Sequence, residues 1–139
     1  MAVFVALVLA VGLGALLWAS GRAREICVLS VRGGRVLVMR GALPASLYEG
    51  LADVVERQRT ARGTIRVLRD GERARLEARG LDEYAAQRAR NVLGTYPLSR
   101  LLAAPPLRTR NLGQRLGLSW LGWRLHDAAE NAAKQRAGH

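Results

Sequence analysis

The side chains with the clearest chemical potential in this chain are arginines. Arg66 lies in TIRVLR, and Arg73 and Arg75 lie in ERARLEAR, two runs that alternate apolar and polar residues. Alternate side chains of a strand share a face, so these arginines form one cationic surface. Arg32 and Arg35, flanking an earlier Gly33-Gly34 pair, can join it. Guanidinium groups so arranged bind phosphate or carboxylate anions. Groups suited to bond-making chemistry are sparse. The only histidines are His126 and His139, and Cys27 is the single thiol, so no cluster with metal-ligand spacing exists. There is no GxxxxGK[ST] and no GxGxxG, and the one lysine, Lys134, lies in the tail. A Ser/His/Asp assembly needs a histidine in a packed cleft, and neither histidine offers one. Glu49, Asp53 and Glu56 read as a solvated helix face rather than an acid–base pair. The expectation is a protein that is not an enzyme and takes no metal or cofactor.

Composition narrows the partners. The chain has 139 residues and a formal net charge of +11, with 22 Lys and Arg against 11 Asp and Glu. Such a surplus favours lipid headgroups, nucleic acid or an acidic protein. A lone cysteine excludes an intrachain disulfide and fits a reducing compartment.

The element that must position everything else is the first. Ala2 to Ser20 reads AVFVALVLAVGLGALLWAS, without a charge, and ten of its residues are Val, Leu or Phe. As a helix it is about 28 Å long, close to the apolar thickness of a bilayer. Residues 1–21 are therefore read as a transmembrane anchor. All basic residues follow Ser20, beginning with Arg22 and Arg24. The positive-inside rule then places the amino terminus outside and the remainder in the cytoplasm. A cleaved secretory signal is the competing reading. It is disfavoured by the missing basic n-region and the length of the apolar run, although Ala19, Ser20 and Gly21 could form a cleavage site. Trp18 suits the headgroup boundary, with Arg22 and Arg24 beside it. Ala6, Ala10 and Gly14 make a small-residue stripe that could pair two helices.

Residues 24–96 read as one domain. REICVLSVR and RVLVMR flank Gly33-Gly34, a hairpin signal. In that hairpin Val31 faces Val36 and Leu29 faces Val38, with Cys27 on the same side as a small core residue, while Val28 and Leu37 point the other way. A helix is expected from about Pro44 to Ala61, with Leu47, Leu51, Val54 and Val55 inward and Gly63 as its stop. Two alternating runs joined at Asp70-Gly71 form a second hairpin, with Ile65, Val67, Ala74, Leu76 and Ala78 on one face. A second helix follows, capped by Asp82 and ending at Gly94, with Leu81, Ala85, Ala89 and Val92 buried. The fold class is α+β: an N-terminal transmembrane helix, then ββαββα with a four-stranded antiparallel sheet covered on one face by two helices, then a helical tail. The other face of the sheet is expected to be open and to carry Arg32, Arg35, Arg66, Arg73 and Arg75.

Residues 97–110 read as a linker containing Pro97, Pro105 and Pro106. Residues 111–139 form the helical tail. Leu112, Leu116, Trp120 and Trp123 fit one side of a continuous helix, and Leu118, Leu121 and Leu125 the opposite side. Trp120, Trp123 and Arg124, with Arg108, Arg110 and Arg115 nearby, suit a segment lying in the membrane interface. The alternative is a tail that packs back on the domain or on a partner.

The segments VRGGRVLVMRGALP, RGTIRVLRDGERARLEARG and QRARNVLGTY resemble an uncharacterised family of small bacterial single-pass membrane proteins. The family has one N-terminal anchor and a basic ββαββα-type domain. The resemblance covers Ile26 to Tyr96, leaves out the tail after Pro105, and implies no activity because the family's function is unknown.

These readings converge on a membrane-anchored interaction or scaffold module. It would sit at the cytoplasmic face of a bacterial inner membrane, against anionic headgroups, with a protein partner or a second copy of itself. An accessory subunit of a larger membrane complex is the alternative. A membrane-tethered nucleic-acid binder is less favoured, because neither hairpin offers an aromatic residue to stack on a base.

Overall fold

Gly33 and Gly34 adopt φ of +57° and +76°, the backbone that a two-residue hairpin turn needs. They join β1 (Glu25–Arg32) to β2 (Arg35–Gly41). A computed structural model of the chain describes residues 1–59, 62–105 and 110–138. The second hairpin joins β3 (Arg62–Asp70) to β4 (Arg73–Arg79). Asp70 pairs with Arg73, so the turn residues are Gly71 and Glu72 rather than Asp70 and Gly71. Gly71 has φ +61°, which suits glycine at the first turn position. The four strands form one antiparallel sheet in the order β2-β1-β3-β4. Val31 pairs with Val36 and Leu29 with Val38, as the hairpin pattern predicts.

One face of the sheet is covered by α2 (Ala45–Gln58) and α3 (Glu83–Gly94). Leu47, Leu51, Val54 and Val55 of α2 are buried against Cys27, Leu29, Val31, Ile65 and Val67. Each such side chain contributes about 1.5–3 kcal/mol by leaving water. Arg59, in the left-handed conformation, ends α2 before the expected boundary, and Ala61 lies outside the described residues. Gly63 is not a helix stop: it belongs to β3 and pairs with Val31. On α3, Asp82 caps the helix by accepting from the Ala85 N–H. Its buried positions are Ala85, Ala86, Ala89 and Leu93, with Leu81 and Val92 only partly buried. The domain also reaches past residue 96. Leu101, in α4 (Leu98–Leu102), is 2 % exposed within the same core, so the expected linker begins with a core element.

The tail is two helices, α5 (Leu112–Leu116) and α6 (Ser119–Ala137). Gly117 takes φ +72° and Leu118 is extended, so the continuous helix expected here is broken. The break turns Trp123 inward, to 2 % exposure against Leu37 and Met39, while Leu112, Leu116 and Trp120 remain exposed. A side chain on Gly113 would run into the Gly122 backbone, so this close α5–α6 approach requires glycine. The tail therefore covers the β1–β2 half of the second sheet face. The expectation of a fully open face, and of Trp123 at a membrane interface, is corrected accordingly. Val36, Leu37, Val38 and Met39 are all buried because β2 has a cover on each side.

The first helix, α1 (Ala2–Ala23), stands apart from this core. None of its residues is buried, and it is long and apolar enough to cross a membrane. A membrane span and a signal sequence both satisfy that description. Only Arg24 separates it from β1.

Candidate functional site

The face of the sheet that meets the tail carries the five arginines expected on a sheet face, Arg32, Arg35, Arg66, Arg73 and Arg75. Strand alternation puts Arg35 on β2, Arg32 on β1, Arg62 and Arg66 on β3, and Arg73, Arg75 and Arg79 on β4 toward that side. Arg35 pairs with Arg32, and Arg32 in turn pairs with Arg62. Three like charges thus stand in a row across three strands, an arrangement that is destabilising without compensation.

Compensation is local and uneven. Arg35 reaches Asp127 at 3.0 Å and Glu130 at 3.2 Å on α6, and its guanidinium lies 5.2 Å from the Trp123 ring. Lys134 donates to Glu130 at 2.7 Å, and this contact, with smaller help from Arg35 and His126, holds the Glu130 carboxyl below the usual carboxylate range. At the other end of the face, Glu25 is the hub. Its side chain is 8 % exposed, and it accepts from Arg40 at 2.6 Å and from Arg66. Arg66 also lies 3.6 Å from Glu77, which holds Arg75 at 2.8 Å. Arg35, Arg66 and Arg75 are therefore each paired with a carboxylate within the protein. Arg73 is exposed beside the β3–β4 turn. Arg32, Arg62 and Arg79 converge on one open cavity of about 410 Å³, walled on its other side by Ser119, Trp120 and Trp123.

Polar contacts join the apolar burial of Trp123 in holding the tail in place. The Gln114 side chain donates to the Val38 carbonyl at 2.7 Å, and Gln114 is itself buried. Trp123 donates through Nε1 to the Ser30 hydroxyl at 2.9 Å. Asn111 caps α5 by accepting from the Gln114 N–H at 3.0 Å, and its amide donates to the Gly122 carbonyl at 2.8 Å. Arg110 donates to the Gly41 carbonyl. Arg124 is exposed, and Arg108 and His139 lie outside the described residues. Sequence reasoning missed Glu25, Asn111, Gln114, Asp127 and Glu130. One signal was available: VLVM in β2 does not alternate, as a strand covered on both faces need not.

Near the anchor, the Arg22 guanidinium lies 4.2 Å from the Trp18 ring. The Arg24 carbonyl accepts the Arg69 N–H at 2.7 Å, which ties the exit of α1 to β3. Ala6, Ala10 and Gly14 are exposed. Cys27 is buried, and burial pushes its thiol up to about 12 from 9.0. It is a core residue and not a reactive one at neutral pH. The acidic positions of α2 form a solvated face, where Asp53 pairs with Arg57 at 2.9 Å. Among the described residues, no group of His, Cys, Asp and Glu is arranged to hold a metal ion.

No curated protein and no solved structure matches the chain. The family model described as Protein of unknown function (DUF3634) matches residues 1–106, from α1 to just beyond α4, and the chain belongs to that family.

Proposed function

We infer that the protein is a non-enzymatic single-pass membrane protein whose basic domain serves as an interaction or scaffold module at a membrane surface. The observation that carries this reading is the junction between α1 and β1. A helix of 22 residues with no buried side chain hands over to the sheet through Arg24 alone. Arg24 is bonded to β3, so a spanning α1 would hold the domain against the headgroups rather than on a flexible tether. Trp18 and Arg22 stack at the end of the apolar run, where indole and guanidinium groups favour the interface. All basic residues follow the span. That asymmetry supports an amino terminus outside and a cytoplasmic domain, at the inner membrane if the source is bacterial.

The experiment is a cytoplasm-only reporter fused after His139, followed by crosslinking and purification through the same fusion. An active reporter in the membrane fraction, with a protein recovered in stoichiometric amount, supports the reading. A released, silent fusion overturns it and makes α1 a signal sequence.

A specific observation also favours a subunit of a larger membrane complex. Leu112 and Leu116 of the tail are 57 % and 60 % exposed. Together with the Ala6, Ala10 and Gly14 stripe they offer two apolar partner surfaces. A nucleic-acid role has less support, because the tail covers half of the arginine face and carboxylates occupy Arg35, Arg66 and Arg75.

A further inference from the structure

Arg35, Arg66 and Arg75 on the second sheet face have counter-charges built in, and Arg73 stands exposed beside the β3–β4 turn, but one corner gathers several arginines with none. Arg32 and Arg62 are directly opposed on β1 and β3, which places their Cβ atoms about 5 Å apart. Arg79 stands across β3 from them, paired with Thr64. Among the described residues, none of Arg32, Arg62 and Arg79 forms an ion pair. The neighbouring Arg35 faces the same repulsion and is relieved by two carboxylates of α6. The unrelieved three line the cavity of about 410 Å³ beneath the start of α6. That volume lies within the range of small-ligand sites. Its far wall adds the Ser119 hydroxyl and the exposed indole of Trp120.

We propose that this cavity binds the phosphate chain of a soluble nucleoside di- or triphosphate, with the base resting on Trp120. Guanidinium groups rooted this closely can clasp phosphate oxygens from several sides, and each charge-assisted hydrogen bond relieves the repulsion between them. Of the two tryptophans that line it, Trp123 is buried and only Trp120 is exposed, which suits one planar ring. A nucleic-acid strand would need a track of stacking platforms, and here the face is interrupted by the docked tail on one side and by the Glu25–Arg66–Glu77 chain on the other. A headgroup of the bilayer at α1 is the poorer candidate. The cavity lies at the Arg32 end of β1, about 23 Å along the strand from the Glu25 end where α1 joins. The site belongs jointly to the family-matched part and the tail, since Arg32, Arg62 and Arg79 come from one and Ser119 and Trp120 from the other. It depends on neither the orientation nor the retention of α1.

The test is titration of the full chain, in detergent or in nanodiscs, with ADP, inorganic pyrophosphate and a single-stranded oligonucleotide at fixed ionic strength. Calorimetry and tryptophan fluorescence supply the readouts. ADP is expected to bind and quench fluorescence. Arg62→Gln and Arg79→Gln are each expected to weaken ADP and pyrophosphate at least tenfold. Trp120→Ala is expected to weaken ADP alone. Arg73→Gln, equal in charge change but outside the cavity, should leave ADP binding within twofold. Because Arg32 and Arg62 repel, Arg32→Gln should also melt no lower than the parent while losing ADP affinity, an outcome a structural role for Arg32 would not produce. The proposal is overturned if ADP fails to bind, if Arg73→Gln weakens it as much as Arg62→Gln, or if the oligonucleotide binds much more tightly than ADP. Equal binding of pyrophosphate and ADP, unaffected by Trp120→Ala, overturns the assignment to a nucleotide.

Discussion

The two faces of the sheet are covered by different means. On the first, α2 and α3 lay aliphatic side chains over Leu29, Ile65 and Val67, and the contact is almost wholly apolar. On the second, the tail buries Trp123 against Leu37 and Met39 and adds directed polar bonds from Arg110, Gln114 and Trp123. The first cover lies inside the family-matched residues and the second outside them. A cover built on area is tolerant of detail, because burial is non-directional. One that adds a few directed polar contacts is selective, and each lost partner leaves a buried group unsatisfied.

Substitutions can sharpen or break this contrast. The largest effect is expected at Leu51, fully buried between α2 and the sheet. Leu51→Ala should cost about 2–5 kcal/mol and lower the melting of the whole domain in one transition, read by thermal denaturation of the full chain. Trp123→Ala should cost about 3 kcal/mol but act on the tail first, seen as tryptic release of α6 while the α2–α3 core still melts cooperatively. If both variants unfold everything together, the two covers form a single cooperative unit and the contrast fails. Gln114→Ala should cost about 1–3 kcal/mol, since it strands the Val38 carbonyl beneath the tail. A Gln114→Glu change should be no milder, because it swaps the amide donor for an acceptor facing that carbonyl.

The smallest effect at neutral pH is expected at Cys27. Its folded pKa of about 12 lies above the 9.0 of the exposed thiol. The unfolded chain therefore loses this proton first, and stability falls as pH rises from about 9 toward 12. Cys27→Ala should flatten the part of that fall due to the thiol, measured as the slope of denaturant stability against pH. The Tyr48 phenol, raised by burial above its ordinary value of 10.0, contributes a fall of the same sign. Below pH 9 the native thiol should resist alkylation until the chain unfolds.

Much of the first face was legible from residue spacing. The Gly33-Gly34 turn, the pairing of Val31 with Val36, the inward stripe of α2 and the Asp82 cap all arise from local rules, where a residue and its neighbours a few positions away determine the outcome. The second face was not, because its contacts join residues far apart in the chain. Gln114 meets Val38 and Trp123 meets Ser30 across separations of 76 and 93 residues. The same applies to Glu25, whose partner Arg66 is 41 residues away. Leu101 read as part of a linker because a five-residue helix gives too short a pattern to reveal periodicity.

By itself the sequence determined the apolar first helix, the two hairpins, the amphipathic helices and the excess of arginine, all properties of composition and period. Only the tertiary structure decided which arginines are spent on internal carboxylates and which face a cavity. Glycine at 117 permits a break in the tail, but the break becomes informative only once Trp123 finds Leu37 and Met39. Charge compensation depends on distance in space, and a one-dimensional pattern carries no distances between segments that fold together.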